Sequence, residues 1–228
     1  RETLIMVIMF FSVYFIVIKE QKVLGLIIGL PLLILKFQNY FMILLSVMVY
    51  IILRHRNKAI NIAFLLAILF GIFFPEKIPI IGPYYSKFER IRLALMAENM
   101  IKVTGKFYDW EAAMSMIEPL GSGISLVYLV VKNFVYMLFK PLPWECRNVF
   151  QIVQSVENIV IVIMIIMFNS KKIISQQVQQ KILFLNIMLF VSMSIYGLVV
   201  FNFGTAARYK FTFIMIYIVF YLLLLSYD

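Results

Sequence analysis

The chain has 228 residues, of which 64% are hydrophobic and only 14% charged, with a formal net charge of +10. A soluble domain carries about 25% charged residues, so a water-facing globule of this size is excluded and lipid must cover much of the chain. The cations sit in short clusters between apolar runs, as in membrane loops, and form no contiguous patch, so no nucleic-acid partner is expected.

Apolar runs lie at about 3–18, 23–35, 39–53, 59–74, 123–139, 149–169, 182–203 and 207–226. A spanning helix needs about 20 residues, with roughly 17 as a lower limit, so several of these runs are short for a bilayer. The first run, Thr3 to Ile18, has no small-residue cleavage pattern and follows Arg1 rather than Met. It reads as a retained helix, and the chain as the C-terminal part of a longer one. Pro31 and the polar insert Lys36-Phe37-Gln38-Asn39 interrupt 23–53, which predicts two short helices joined by a tight turn.

Three clusters set the orientation: Lys19 and Lys22; Arg54, Arg56 and Lys58; Lys171, Lys172 and Lys181. Placing all three in the cytoplasm puts the N-terminus, the 36–39 turn and the segment from Pro75 onward outside, and the C-terminus inside. Both ends of 75–148 then lie outside. The run 123–139, with Lys132 and Asn133 at its centre, should therefore be re-entrant or interfacial. The expected fold is all-α: a polytopic transmembrane bundle forming a single domain over 1–228, with about seven spans, one partial insertion and a long external loop.

That external loop begins irregularly at Pro75, Pro79 and Pro83. Residues 84–101 read as an amphipathic helix, with Phe88, Ile91 and Leu95 on one face and Arg90, Ala94 and Ala97 on another. A connection of about 45 residues with its own helix is more often functional than idle. Arg90 and Arg92 either join a cationic rim or simply solvate the helix.

Polar residues then gather on the external side. Arg147, Gln151, Gln154 and Asn158, with Ser155 beside them, draw one stripe down a helix whose other half, Ile159 to Met167, is apolar. Amides facing lipid lose hydrogen bonds worth a few kcal/mol, so the stripe should face protein or a water-filled cavity. Glu157 is an acidic residue inside a span, a functional candidate unless it merely pairs with a cation at the interface. In Asn202-Phe-Gly204-Thr205-Ala-Ala-Arg208-Tyr-Lys210, Gly204 permits a tight turn and Thr205 suits an N-cap. Free N–H groups there, one turn before Arg208, make an anion site, or else Arg208 and Lys210 anchor the helix to headgroups. Phe139-Lys140-Pro141-Leu142-Pro143-Trp144-Glu145 ends the partial helix, with Trp144 at the interface and Glu145 at the mouth of the expected cavity. The one cysteine, Cys146, excludes an internal disulfide, and the one histidine, His55, excludes a multi-histidine zinc site. Phosphate-binding loops, paired histidines on a helix and nucleophile elbows are missing from the sequence.

Residues 139–145, followed by Ser155-Val-Glu157-Asn158, resemble an F-R-P-F-P-W-E … E-N pattern, with Lys140 and Leu142 where Arg and Phe are expected. Residues 202–208 resemble an N-x-G-T-x-x-R pattern near a C-terminus. Both are similar to segments of multi-spanning proteins of bacterial surface-polysaccharide clusters, of the O-antigen polymerase type, over roughly residues 85–226.

The resemblance implies a GT-C-like glycosyltransferase in the bacterial inner membrane, active on its outer face. Its partners are the bilayer and undecaprenyl-pyrophosphate-linked sugar repeats, with no nucleotide sugar, metal or other cofactor. It carries over Arg208 as a pyrophosphate ligand and Glu145 or Glu157 as acid–base candidates. The expected site adds Thr205, Gly204, Arg147 and Arg90 to the anion-binding set, with Gln151, Gln154, Asn158 and Asn202 lining the cavity. A transporter or flippase of a polysaccharide intermediate, and a non-catalytic assembly subunit, remain alternatives. Transport needs a polar path through the cytoplasmic half, where the sequence is nearly all apolar.

Overall fold

The computed structural model describes residues 2–54, 61–62, 86–94, 96–97, 117, 119, 121–146, 148–170, 175–200 and 203–226. The expected span at 59–74, most of the external loop, Arg147 and Asn202 fall outside the described residues. The α-helices are α1 (Glu2–Val17), α2 (Lys22–Gly29), α3 (Leu32–Arg54), α4 (Ile124–Phe139), α5 (Val149–Ser170), α6 (Gln176–Val199) and α7 (Phe203–Leu225). A 3-10 turn covers Pro143–Glu145, residues 86–94 are helical, and the described residues contain no strand.

Among the described residues, four helices are long and apolar enough to cross a membrane: Leu32–Arg54, Val149–Ser170, Gln176–Leu198 and Ala206–Leu225. Of the seven expected spans, 3–18 and 23–35 fall on helices shorter than a span, and 59–74 lies outside the described residues. At 1.5 Å per residue the 16 residues of α1 and of α4 reach about 24 Å, and the 8 residues of α2 about 12 Å, against about 30 Å of hydrocarbon. The interruption expected at 36–39 is present as a kink inside α3, where Lys36 leaves helical geometry at φ −163° and ψ 77°.

The chain divides into two compact units, Arg1–Arg56 with Glu157–Ser192 and Tyr209–Asp228, and Asn57–Val156 with Met193–Arg208. In the first, α1 runs into a reversal at Ile18–Gln21. Glu20 takes a positive φ of 58° there, and the Gln21 N–H returns to the Phe15 carbonyl. The chain comes back along α1 as α2. Gly25 makes the approach possible: a Cβ there would lie 2.7 Å from the Ser12 carbonyl oxygen. The Ser12 hydroxyl donates to the Gly25 carbonyl at 2.8 Å, and the Asn39 amide to the Met9 sulfur at 2.9 Å, so polar groups between these helices find partners. Met9, Val13, Met42, Leu185, Met188, Phe213, Tyr217 and Phe220 form its core.

This unit has two polar poles. At one, Lys36 pairs with Glu2 at 3.7 Å and lies 4.0 Å over the Tyr209 ring. At the other, Lys181 pairs with Glu20 at 3.1 Å, Lys22 sits 5.4 Å over Tyr50, and Arg54 reaches the Tyr50 hydroxyl at 3.3 Å. Lys22, Arg54 and Lys181, one residue from each of the three cation clusters, thus share one end of this unit.

In the second unit the segment 86–97 corrects the expected amphipathic pattern. Phe88 and Ile91 are exposed, while Arg92 and Ala97 are buried, with Leu93 and Met96 packed against Ala97 and Ile117. Arg92 is satisfied there. Its Nε and Nη2 hold both Glu89 oxygens at 2.9 and 3.3 Å, and Nη1 donates to the Leu198 carbonyl at 3.4 Å. That carbonyl belongs to the last turn of α6, where helix geometry leaves acceptors unpaired and favours a cation. Gly197 lets α6 meet α4 closely, since a Cβ would come within 2.5 Å of the Asn133 carbonyl oxygen.

Candidate functional site

The turn after α4 is built around Glu145. Its carboxylate takes the Leu142 N–H at 3.2 Å and the Lys140 ammonium at 2.9 Å, while Lys140 lies 4.2 Å over the Tyr136 ring. The Lys140 hydrogen bond holds the Glu145 carboxyl below its ordinary 4.5. A carboxylate so held takes up a proton reluctantly, which suits a turn clasp better than an acid–base catalyst. Trp144 is 79% exposed. Asn148 then caps α5, its side-chain oxygen accepting the Gln151 N–H at 2.9 Å.

Along α5 the stripe is the inward face. Gln151 and Gln154 are half-buried and Ser155 and Asn158 buried, whereas Val153, Val156, Glu157 and Val160 are exposed. The same face continues through Ile161 and Phe168. Only 17% of the apolar window of α5 is buried, against 61% in α6, so α5 turns a broad apolar surface outward with Glu157 on it.

The α7 segment differs from its expected form. The helix starts at Phe203, so Gly204 and Thr205 lie within its first turn instead of a turn and cap before it. Arg208 is exposed, and Lys210 is the buried cation, 3% exposed. Helical spacing explains this: Lys210 continues the buried stripe Phe213, Ile214, Tyr217, Phe220, Tyr221 and Leu224, and Arg208 lies off it. The Lys210 ammonium donates to the Asn158 side-chain oxygen, and Glu157 is close enough to attract it. This joins α5 to α7 within the first unit. Arg90 is also exposed and donates to the Ser86 carbonyl at 3.4 Å, and among the described residues nothing links it to Arg208.

A second polar cluster in this unit escaped the sequence reading. Asn169 donates to the Tyr217 hydroxyl at 2.9 Å, Tyr217 to the Asn186 oxygen at 2.9 Å, and Asn186 to the Asn169 oxygen at 2.7 Å, closing a ring across α5, α6 and α7. Lone amides at Asn169 and Asn186 in apolar helices were the available signal. In the second unit, the Ser155 and Ser194 hydroxyls are buried with no hydrogen-bond partner among the described residues. No group of three metal-ligating side chains stands together among the described residues.

These features define a helical membrane protein with polar contacts between its apolar helices. A scan against models of known families and searches of curated proteins and of solved structures found no match.

Proposed function

We propose that the chain is a polymerase-type membrane glycosyltransferase that acts on undecaprenyl-pyrophosphate-linked sugar repeats at the outer face of the bacterial inner membrane. The observation that supports this most is the Lys210–Asn158 contact with Glu157 beside it. Asn158 and Glu157 close one segment of the polymerase-like pattern, and Lys210 follows the other by two residues. On this reading Glu157 removes the proton from the acceptor sugar hydroxyl. That oxygen bonds to the anomeric carbon as the bond from carbon to the pyrophosphate oxygen breaks. The resemblance gives Arg208 the charge that develops on the departing lipid pyrophosphate, while Lys210, buried on Asn158, holds that amide in place. Glu145, already held by Lys140, serves the turn.

The transporter alternative requires a polar path through the other half of the bundle. The polar groups there, Asn169, Asn186 and Tyr217, are bonded to one another, which disfavours it. The test is chain extension by purified protein supplied with lipid-linked oligosaccharide. Glu157→Gln and Arg208→Ala are expected to lower turnover by at least about a hundredfold, as loss of a general base or a charge-stabilising donor does, and Lys210→Met to lower it by releasing Asn158. Extension at the wild-type rate in all three variants would overturn the reading.

A further inference from the structure

At the pole of the first unit opposite Lys210 lies a cavity of about 50 Å³, lined by Glu20, Lys22, Tyr50, Arg54, Gln177, Gln180 and Lys181 above Ile16, Val17 and Phe184. Three cations and one carboxylate face it. Glu20 is committed to Lys181 at 3.1 Å. Lys22 and Arg54 instead share a neutral residue, one over the Tyr50 ring and the other on its hydroxyl, and neither pairs with a carboxylate among the described residues. The cavity also opens beside the first turns of α6, a 24-residue helix whose positive end favours an anion.

We propose that this cavity binds a phosphate group. Its volume matches roughly three to five water positions, the scale of a tetrahedral oxyanion and too small for a sugar. Lys22, Arg54 and Lys181 supply charge, and Gln177, Gln180 and Tyr50 supply neutral donors. Basic pockets between membrane helices at the bilayer surface take phosphate from lipid headgroups, and Val23, Leu24 and Leu53 stand exposed nearby for acyl chains. Inorganic phosphate offers the same chemistry from water. The site lies apart from Glu157 and Lys210 and rests on nothing in the glycosyltransferase reading.

The experiment has two arms on the purified full chain. In phosphatidylcholine nanodiscs doped with phosphatidylglycerol, native mass spectrometry counts retained anionic lipid. In lipid-free detergent micelles, calorimetry follows binding of inorganic phosphate. Lys22→Gln and Arg54→Gln are each expected to weaken binding about fivefold, the worth of one cation near an anionic surface. Glu20→Gln releases Lys181 from its competing carboxylate and should tighten binding, a gain that a misfolded variant does not produce. Lys19→Gln removes equal charge from the same turn but does not line the cavity; Lys19 instead sits 6.0 Å over Tyr14. Selective lipid retention following this order identifies a headgroup, and saturable phosphate binding in the same order identifies the free anion. Binding in neither arm, or an equal effect of Lys19→Gln and Lys22→Gln, overturns the proposal.

Discussion

Gly25 sits at a close backbone approach between α1 and α2, and Gly25→Ala tests it directly. A Cβ at this position lies 2.5 Å from Ile16 Cγ1 and 2.7 Å from the Ser12 carbonyl oxygen. The Ile16 methylene can turn aside, but the Ser12 carbonyl is backbone. Restoring ordinary contact there moves α2 off α1 by about 0.7 Å. That shift stretches the 2.8 Å Ser12–Gly25 hydrogen bond to about 3.5 Å, the edge of any useful geometry. Overpacking costs about 1–3 kcal/mol, and an interhelical hydrogen bond in a membrane protein is worth about 0.6 kcal/mol. Against this, alanine exceeds glycine in helix propensity by about 1 kcal/mol. The net expectation is destabilisation by about 1.5 kcal/mol, combining these three terms. Gly29→Ala is the internal control, because its Cβ meets only side-chain atoms, Ser12 Oγ at 3.2 Å and Tyr40 Cδ2 at 3.3 Å. It should stay within about 0.5 kcal/mol of the wild type. SDS titration in mixed micelles, followed by far-UV circular dichroism, measures both. A Gly25→Ala protein as stable as the wild type, or less affected than Gly29→Ala, refutes the close α1–α2 approach.

The ring of Asn169, Asn186 and Tyr217 predicts that Tyr217→Phe removes two hydrogen bonds and about 1.2 kcal/mol, and that it couples non-additively with Asn186→Leu in a double-mutant cycle. Additive effects would show that the two side chains do not meet. Arg92→Met removes the bidentate contact with Glu89 and the donation to the Leu198 carbonyl and should cost about 3 kcal/mol, whereas Arg90→Met on the exposed face should change stability by less than about 0.5 kcal/mol. The reverse ranking in the same SDS titration would restore the face expected from the apolar spacing. Because Lys140 lowers the folded pKa of Glu145 beneath 4.5, the clasp contributes its full stability above that pH and loses it as pH falls through the folded value. Thermal melts of wild type and Glu145→Gln should therefore differ near neutrality and converge in acid. A constant difference across that range excludes the Lys140 pairing.

The sequence by itself determined the solvent of this protein and the grouping of its charges. Apolar content on this scale leaves no means of coating a globule, and cations cost too much in hydrocarbon to lie anywhere but at the ends of spans. That is why Lys22, Arg54 and Lys181 share a pole, and why Lys36 breaks α3 within the polar insert. The inward face of α5 was legible for the same reason, since amide side chains avoid lipid.

Tertiary structure decided which cation is buried and which polar groups meet. Arg208 and Lys210 are alike in composition and position, and only the packing of α5 against the Phe213–Tyr217–Tyr221 face of α7 puts Lys210 on Asn158. Apolar spacing put Phe88 and Ile91 together on one face, and the bidentate Glu89 pair and the open carbonyl of Leu198 draw Arg92 inward instead. Likewise, no spacing rule relates Asn169 to Asn186 and Tyr217. In hydrocarbon a polar side chain must find a partner, and the partner comes from another helix, so its identity depends on the packing and is not written in the local sequence.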